Sequence, residues 1–320
     1  REPFANRNIG TSEKTSYELH SLRRAINVVR DPEVVEFNVI TIPGVTATGV
    51  TDYLLDVTED RGDAIAIIDL EKVYDAQSEN TKSYKDRNSF SIKQAVDSLR
   101  ERGLNNSYGA AYYPWVRIQD TVSGQALWAP PSVAALGAFS FTDRVRAPWY
   151  APAGFARGGL SEGAGGVPVL DVSRRLTSDE RDELYAANIN PIAQFPAEGI
   201  VIFGQKTLQV TRSALDRINV RRLMVFLKKE ISFIASRMLF DQNTQSTWNR
   251  FIGQAEPVLR SVQSRFGLEE FRLILDESTT TPDLVDRNII YAKILLKPTR
   301  TAEFFAIDFV ITNTGASFAD

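Results

Sequence analysis

Val35-Glu36-Phe37-Asn38-Val39-Ile40-Thr41-Ile42 is a β-branched, apolar run that halts at Pro43-Gly44. A run of this kind closed by a turn pair predicts a strand. Thr51 to Asp60 then carries Tyr53, Leu54 and Val57 on one helical face, and Ala64-Ile65-Ala66-Ile67-Ile68-Asp69 follows with hardly a polar residue in it. A strand that is apolar at every position is one covered on both faces. Strand, helix and strand in that order predict a β-α-β unit with a buried parallel sheet.

Working outward, Ser91 to Arg102 repeats the helical pattern through Ile92, Ala95, Val96 and Leu99, ends at Gly103, and is followed by a strand at Ser107 to Tyr113. The pattern changes at Ala151 to Val167, where six glycines and a proline leave little to continue a helix or a strand. The expected organisation is an α/β domain over 1–155 with a largely parallel sheet, a glycine-rich linker over 156–168, and an α+β domain over 169–320. In the second part, Ser178-Asp179-Glu180 reads as a capped helix start and Gly199 to Gly204 as a compact strand. Val220, Leu223, Met224, Leu227, Ile231, Ile234 and Met238 form the stripe of a helix from about Val220 to Leu239, with Asn219 as its N-cap. Trp248 to Phe266 is a further amphipathic helix, with a kink or break expected near Glu256 because Pro257 lacks a backbone donor, and Gly267 closing it. Strands at Phe271 to Asp276, Ile289 to Leu296 and Phe304 to Thr312 complete a terminal antiparallel sheet on which the helices pack.

The totals bound the function. At 320 residues, 43% hydrophobic and 24% charged, the chain can bury real cores without staples. It contains no cysteine, which removes disulfides, thiolate metal sites and cysteine nucleophiles together. A formal charge of -3 gives no general attraction to nucleic acid or anionic membrane. No stretch approaches the roughly 20 apolar residues of a membrane span. The first residue is arginine, and the expectation is a fragment or processed chain.

Candidate chemistry is sparse. His20, the single histidine, lies in a helical stretch beside Leu19, Leu22 and Ile26, so a triad or a histidine metal site would have to be built around it alone. Asp56, Glu59, Asp60 and Asp63 share a helical face, and Asp60 and Asp63 with a bound metal are the residues of a hydrolase reading; the plainer reading is a solvated helix face. Gly154, Gly158, Gly159, Gly163, Gly165 and Gly166 match no phosphate-cradling loop and read as a flexible interdomain segment. Between Lys206 and Arg237, the cations Lys206, Arg212, Arg217, Arg221, Arg222, Lys228, Lys229 and Arg237 face only Asp216 and Glu230, a local excess of six positive charges. Such a patch either meets an acidic partner or is a solvated face, and Arg221, Arg222, Lys228 and Lys229 are the residues of a nucleic-acid-binding alternative. Tyr112, Tyr113, Trp115, Trp128, Trp149 and Tyr150 suit a core or an interface.

These blocks together carry a resemblance. Ile42-Pro43-Gly44, Asp63 to Asp69, Ser107 to Val116, Ala129-Pro130-Pro131-Ser132 and Arg146-Ala147-Pro148-Trp149 resemble, in order, successive segments of contractile tail sheath proteins. Asn188-Ile189-Asn190-Pro191-Ile192, Gly199 to Leu208 and Ile218 to Leu223 are similar to that family's C-terminal core, although Phe203-Gly204-Gln205-Lys206 stands where tryptophan-glycine and an arginine are usual. The resemblance implies a structural subunit and not an enzyme, without cofactor or metal. It implies hexameric rings stacked around a tail tube, contracting to drive the tube through the host envelope. The partners implied are other copies of the chain, the tube protein, and baseplate and terminator proteins, with no membrane or direct nucleic-acid contact; the place implied is the virion tail, after assembly in the host cytoplasm. Family members are usually longer, with an N-terminal arm and added outer domains. In the family, subunits stay tied by exchanged β-strands. The candidate strand here is Phe304 to Thr312, with Phe305, Ile307, Phe309 and Ile311 on one face and Phe304, Ala306 and Val310 on the other. Candidate contacts to the tube or a neighbour are Arg221, Arg222, Lys228 and Lys229, or Arg250, Arg260 and Arg265 on the Trp248 to Phe266 helix.

Overall fold

The computed structural model describes residues 16–70, 92–162 and 166–303. In chain order the elements are α1 (Tyr17–Val28), β1 (Val39–Thr41), α2 (Thr48–Arg61), β2 (Ile65–Ile68), α3 (Ile92–Glu101), β3 (Gly109–Tyr113), β4 (Val116–Gln119), β5 (Ala126–Ala129) and α4 (Pro131–Val145). There follow β6 (Val169–Val172), α5 (Ser178–Ala186), β7 (Ile189–Phe195), β8 (Gly199–Ile202), α6 (Ile218–Ser236), α7 (Gln245–Ser264), β9 (Leu268–Ile274), α8 (Pro282–Asp286) and β10 (Lys293–Pro298).

The β-α-β unit is present. β1, β2, β3 and β7 run parallel, and β8 turns back antiparallel on β7, giving a five-stranded sheet in the order β1-β2-β3-β7-β8. Side chains alternate across a strand, so Ala66, Ile68, Ala111 and Tyr113 face Leu54 and Leu55 of α2 and Ala95, Val96 and Leu99 of α3. Ile65, Ile67, Ala110 and Tyr112 face the other way, onto Ala135, Ala138 and Phe139 of α4 and Val116 and Val172 of a small sheet ordered β5-β4-β6. Both faces are covered, which is why β2 is apolar at every position.

Asp69 fastens this layer. Its carboxylate accepts from the Gly44 amide (2.8 Å), the Ser132 amide (3.2 Å) and the Ser132 hydroxyl (2.7 Å), tying the turn after β1 to the first turn of α4. Gly44 holds φ +79°, a left-handed conformation that glycine adopts without strain. Burial pushes the Asp69 carboxyl above its ordinary value, and these three donors pull it back only in part.

Several expectations need correction. The strand expected over Val35 to Ile42 shrinks to β1. The backbone before it is taken by side chains, with Arg61 donating to the Val35 carbonyl (2.9 Å) and Lys229 to the Phe37 carbonyl (2.7 Å). The glycine-rich stretch does not separate two domains. Gly154 donates to Ile202 O and Ile202 to Gly158 O (both 2.9 Å), Leu160 donates to Ile200 O, and β7 pairs with β3 from the far side of the stretch. A Cβ on Gly158 would stand 2.6 Å from the Ile202 carbonyl, so this glycine is required by close packing. The α/β unit therefore runs on through β8, and the second unit begins after it.

That second unit packs α6 and α7 on the antiparallel pair β9–β10, through Leu223, Leu227, Leu259, Val262 and Leu268 at one end and Trp248, Phe251, Ala255 and Leu275 at the other. The cap of α6 is Arg217; Asn219 is buried inside the first turn. α7 runs through Pro257 as one continuous helix from Gln245 to Ser264. Phe266, at φ +59°, supplies the left-handed turn expected of Gly267, whose amide instead reaches back to Val262 O (2.9 Å). Gly267 must lack a side chain because a Cβ would meet Val262 at 2.5 Å and Trp149 at 3.0 Å. Upstream, Thr177 and Glu180 close a full capping box on α5. The strand expected at Phe304 to Thr312 lies outside the described residues.

Asp69→Ala leaves three donors without their acceptor in a packed layer, and should cost about 1–3 kcal/mol. Urea unfolding of the variant beside the parent chain checks this; equal midpoints would remove Asp69 from its fastening role.

Candidate assembly interface

Among the described residues, the candidate reactive groups do not converge. His20 lies exposed on α1. Asp56, Glu59 and Asp60 are exposed along α2, whereas Asp63, expected on the same solvated face, is buried beyond the helix end. Gly62 turns left-handed (φ +63°), and Arg61 closes on Asp63 through two nitrogens at 2.8 and 2.9 Å while its guanidinium lies 4.0 Å from the Phe37 ring centroid. Asp60 pairs with Arg30 at 2.8 Å. Among the described residues, no group of three or more histidines and carboxylates could hold a metal ion.

Part of the basic stretch is bonded inside the chain: Arg221 and Arg222 are buried, Lys229 is half-buried and Lys228 is exposed. Arg222 is buried and grips Asp143 of α4 at 2.6 and 2.7 Å, lying over the Phe139 ring. Arg221 is buried too, bonded to the Ser107 hydroxyl and stacked 3.9 Å from the Tyr108 ring, and burial lowers its pKa. Lys228 donates to Arg61 O at 3.0 Å, and Lys229 to Phe37 O. These four cations clamp α6 onto the α/β unit, and the guanidinium groups on which the nucleic-acid reading relied face inward. The three α7 candidates differ. Arg250 pairs with Asp241 and Arg260 with Glu256, both in exposed positions. Arg265 donates to Arg146 O (2.7 Å) and covers the Trp149 ring at 5.0 Å.

What the described surface does offer is backbone and shape. β9 and β10 pair only with each other, so among the described residues each has an outer edge without a ladder partner. Their inner face, with Phe271, Leu273, Ile294 and Leu296, packs on α6 and α7. The chain then leaves β10 along a cleft of about 920 Å³ lined by Asn188, Lys206, Arg212, Arg217, Arg300 and Glu303. Glu303 is pinned at its exit. Arg217 binds it through Nε (2.7 Å) and Nη2 (3.1 Å), the Tyr185 hydroxyl donates to it at 2.8 Å, and Gln205 Nε2 reaches both Glu303 (3.1 Å) and Thr301 (2.7 Å). Burial, and then the Glu303 charge, push the Tyr185 hydroxyl above its ordinary value. Burial, followed by the charge of Arg217, lowers Lys206. This clamp was not foreseen, because Tyr185, Gln205, Arg217 and Glu303 are far apart in sequence and form no motif.

The described residues thus form a two-unit scaffold with buried arginines between the units and open sheet edges. Residues 23–208 match the model of the phage tail sheath protein central domain, and residues 210–312 that of the phage tail sheath C-terminal domain. The chain belongs to the phage tail sheath protein family, whose members are structural components of contractile tails and not enzymes. The junction of the two matches falls after β8, where the second unit begins. The tail sheath protein of Vibrio phage KVP40 is 38% identical over 201 residues, 63% of this chain and 29% of that protein. That of Enterobacteria phage T4 is 32% identical over 191 residues, 60% of this chain and 28% of the relative. The matched segment thus spans less than a third of these relatives. Among solved structures, a chain of the anti-feeding prophage baseplate superposes with a TM-score of 0.72 at 22% identity, covering 92% of this chain and 74% of that one. A chain of the PVC sheath complex of an extracellular contractile injection system, in its contracted state, gives 0.70 at 22%, covering 91% and 74%. At these identities the likeness concerns the fold.

Because Arg222 stands inside the chain, Arg222→Met should unfold at lower denaturant by about 1–3 kcal/mol. Arg212→Glu, on the exposed cleft wall, should stay within about 0.5 kcal/mol of the parent. The reverse order of midpoints would return Arg222 to the list of outward contacts.

Proposed function

We propose that the chain is the polymerising core of a contractile tail sheath, tied to its neighbours by exchanged β-strands. The observation that carries this is the β9–β10 pair, a two-stranded sheet with a covered inner face and, among the described residues, two unpartnered edges, in the segment that matches the sheath C-terminal domain. An edge of this kind accepts an extended segment through main-chain hydrogen bonds, which hold whatever the side chains around them do. The donor in this reading is Phe304 to Thr312 of another copy, with Phe305, Ile307, Phe309 and Ile311 set against the recipient sheet. Hexameric rings stacked around a tail tube, between baseplate and terminator proteins, follow from the same reading. So does a virion location after assembly in the host cytoplasm. Among the described residues no helix is long and apolar enough to cross a membrane.

Contraction without a chemical fuel needs an interface with two packings, its free energy stored during assembly and released when a trigger spreads along the stack, driving the tube through the host envelope. For the tube contact, Arg260 is the cleanest α7 candidate, since its ion-pair partner among the described residues, Glu256, lies on its own helix.

Removing residues 304–320 should leave a folded monomer that forms no sheath. Electron microscopy of the purified full chain should show striated tubes or rings. Ordinary sheaths from the shortened chain would defeat strand exchange, and the absence of any regular assembly from the full chain would defeat the sheath reading itself. Arg260→Glu should weaken assembly around the tube increasingly at low salt, where charge contacts are least screened. Unchanged assembly at every ionic strength would exclude Arg260 from the tube contact.

A further inference from the structure

Phe155, Phe195 and Phe203 meet on the surface with ring centroids 5.1 to 5.7 Å apart, and the Arg181 guanidinium lies 5.0 Å from the Phe195 ring and 5.8 Å from that of Phe203. Phe155 is 51% exposed and Phe203 41%. Single exposed apolar residues are ordinary, but a cluster of aromatic rings in contact marks a surface that something covers. The described backbone ends beside it. Thr301, Ala302 and Glu303 line the same pocket, about 400 Å³, as Phe155 and Phe203.

Two observations say which residue comes next to the rings. The Glu303 clamp fixes the exit point, and residue 304 lies one Cα step of about 3.8 Å beyond it. Of the last described residues, Thr301 and Glu303 also line the basic cleft, whereas Ala302 lines only the aromatic pocket. Thr301 to Glu303 form no regular strand; if the chain continues extended past Glu303, the face that carries Ala302 next carries Phe304. A further 17 residues, 304–320, follow Glu303.

We propose that the Phe155–Phe195–Phe203 patch is the seat of Phe304 of the same chain. The arm is thereby bound at its root, by the Glu303 clamp on one side and by an aromatic socket on the other. A second copy is a poorer occupant, because Thr301 to Glu303 of this chain already lie in the pocket it would enter. Where strand exchange holds, only the part of the arm beyond this root is free to leave for a neighbour; that clause rests on the reading above, and the socket does not.

The chain has no cysteine, so engineered pairs report without background. In the dilute full-length protein, Phe304→Cys with Phe155→Cys should join within one chain under mild oxidation, giving a monomer-sized product that has lost two hydrogens. Phe305→Cys with Phe155→Cys, one residue off the face, should join several-fold less. Covalent dimers in place of the internal link would assign the socket to another copy and overturn the proposal, as would no link at all or equal linking at 305. As a second readout that needs no cysteine, Phe304→Ala and Phe155→Ala should each speed proteolysis within 304–320 several-fold, and the double variant should be no faster than either. Additive acceleration, or none, would refute the socket. Strand exchange is read separately, from links between chains by Phe309→Cys with Leu295→Cys; their failure alongside an intact internal link at 304 would sink exchange and leave the socket standing.

Discussion

The structure depends on a parallel sheet that must be dry on both sides. β2 and β3 are buried at every position, so neither can exist until a layer is laid over each face. One layer is α2 and α3; the other is α4 with the β5-β4-β6 sheet. The sheet also has to be completed from sequence that lies past the glycine-rich stretch, where β7 brings Asn190 into the layer. Asn190 is fully buried, and its polar atoms are used, with Nδ2 donating to Ala111 O (3.1 Å) and Lys206 O (2.8 Å), and Oδ1 accepting from the Lys206 amide (2.6 Å). A buried amide satisfied this fully fixes register, because any slip would strand those groups away from water. The central sheet is thereby held in one register.

The second constraint is charge. Arg221, Arg222, Lys228 and Lys229 give the chain its strongest local field in sequence, but α6 turns them toward the α/β unit. There, Asp143, the Ser107 hydroxyl and the carbonyls of Arg61 and Phe37 receive them. Three of these acceptors are a hydroxyl or main-chain oxygens, invisible in any tally of acidic residues. This is why part of the positive charge read from sequence, Arg221 and Arg222 above all, is spent inside the chain, while Arg212, Lys228 and Arg237 remain exposed. It also explains how the two units hold together, since removing one partner of a buried, hydrogen-bonded charge costs far more than the pair yields in isolation.

Sequence reading recovered what periodicity controls and missed what tertiary packing controls. The apolar run of β2, the stripes of α6 and α7 and the antiparallel pairing of β9 with β10 are local patterns, and they were legible. Glycine was the misleading residue. At Gly154 to Gly159 it signalled a flexible linker, when Gly158 is required because β8 passes within van der Waals contact of its backbone. At Gly267 it signalled a helix stop, when Phe266 makes the turn and Gly267 makes room for Trp149. Both meanings of glycine, freedom and closeness, leave the same letter in the sequence. The family resemblance was legible from ordered blocks. The Glu303 clamp was not, because its four members acquire meaning only when β10 delivers the chain across the end of α5.

These features divide the molecule into parts that resist motion and parts that permit it. The buried Arg221 and Arg222 of α6 and the Trp149 indole bond to Arg265 O join the two units, so relative movement within one chain would leave buried guanidinium groups without their partners. Movement between chains carries no such penalty if the connection is a backbone ladder, because ladder hydrogen bonds are indifferent to the side chains that surround them. A firmly fixed arm root then matters as much as the arm. If the segment beyond Glu303 is such a tether, it transmits force only when anchored at its base, and the Arg217, Tyr185 and Gln205 contacts to Glu303 hold that base to the unit that contains the central sheet.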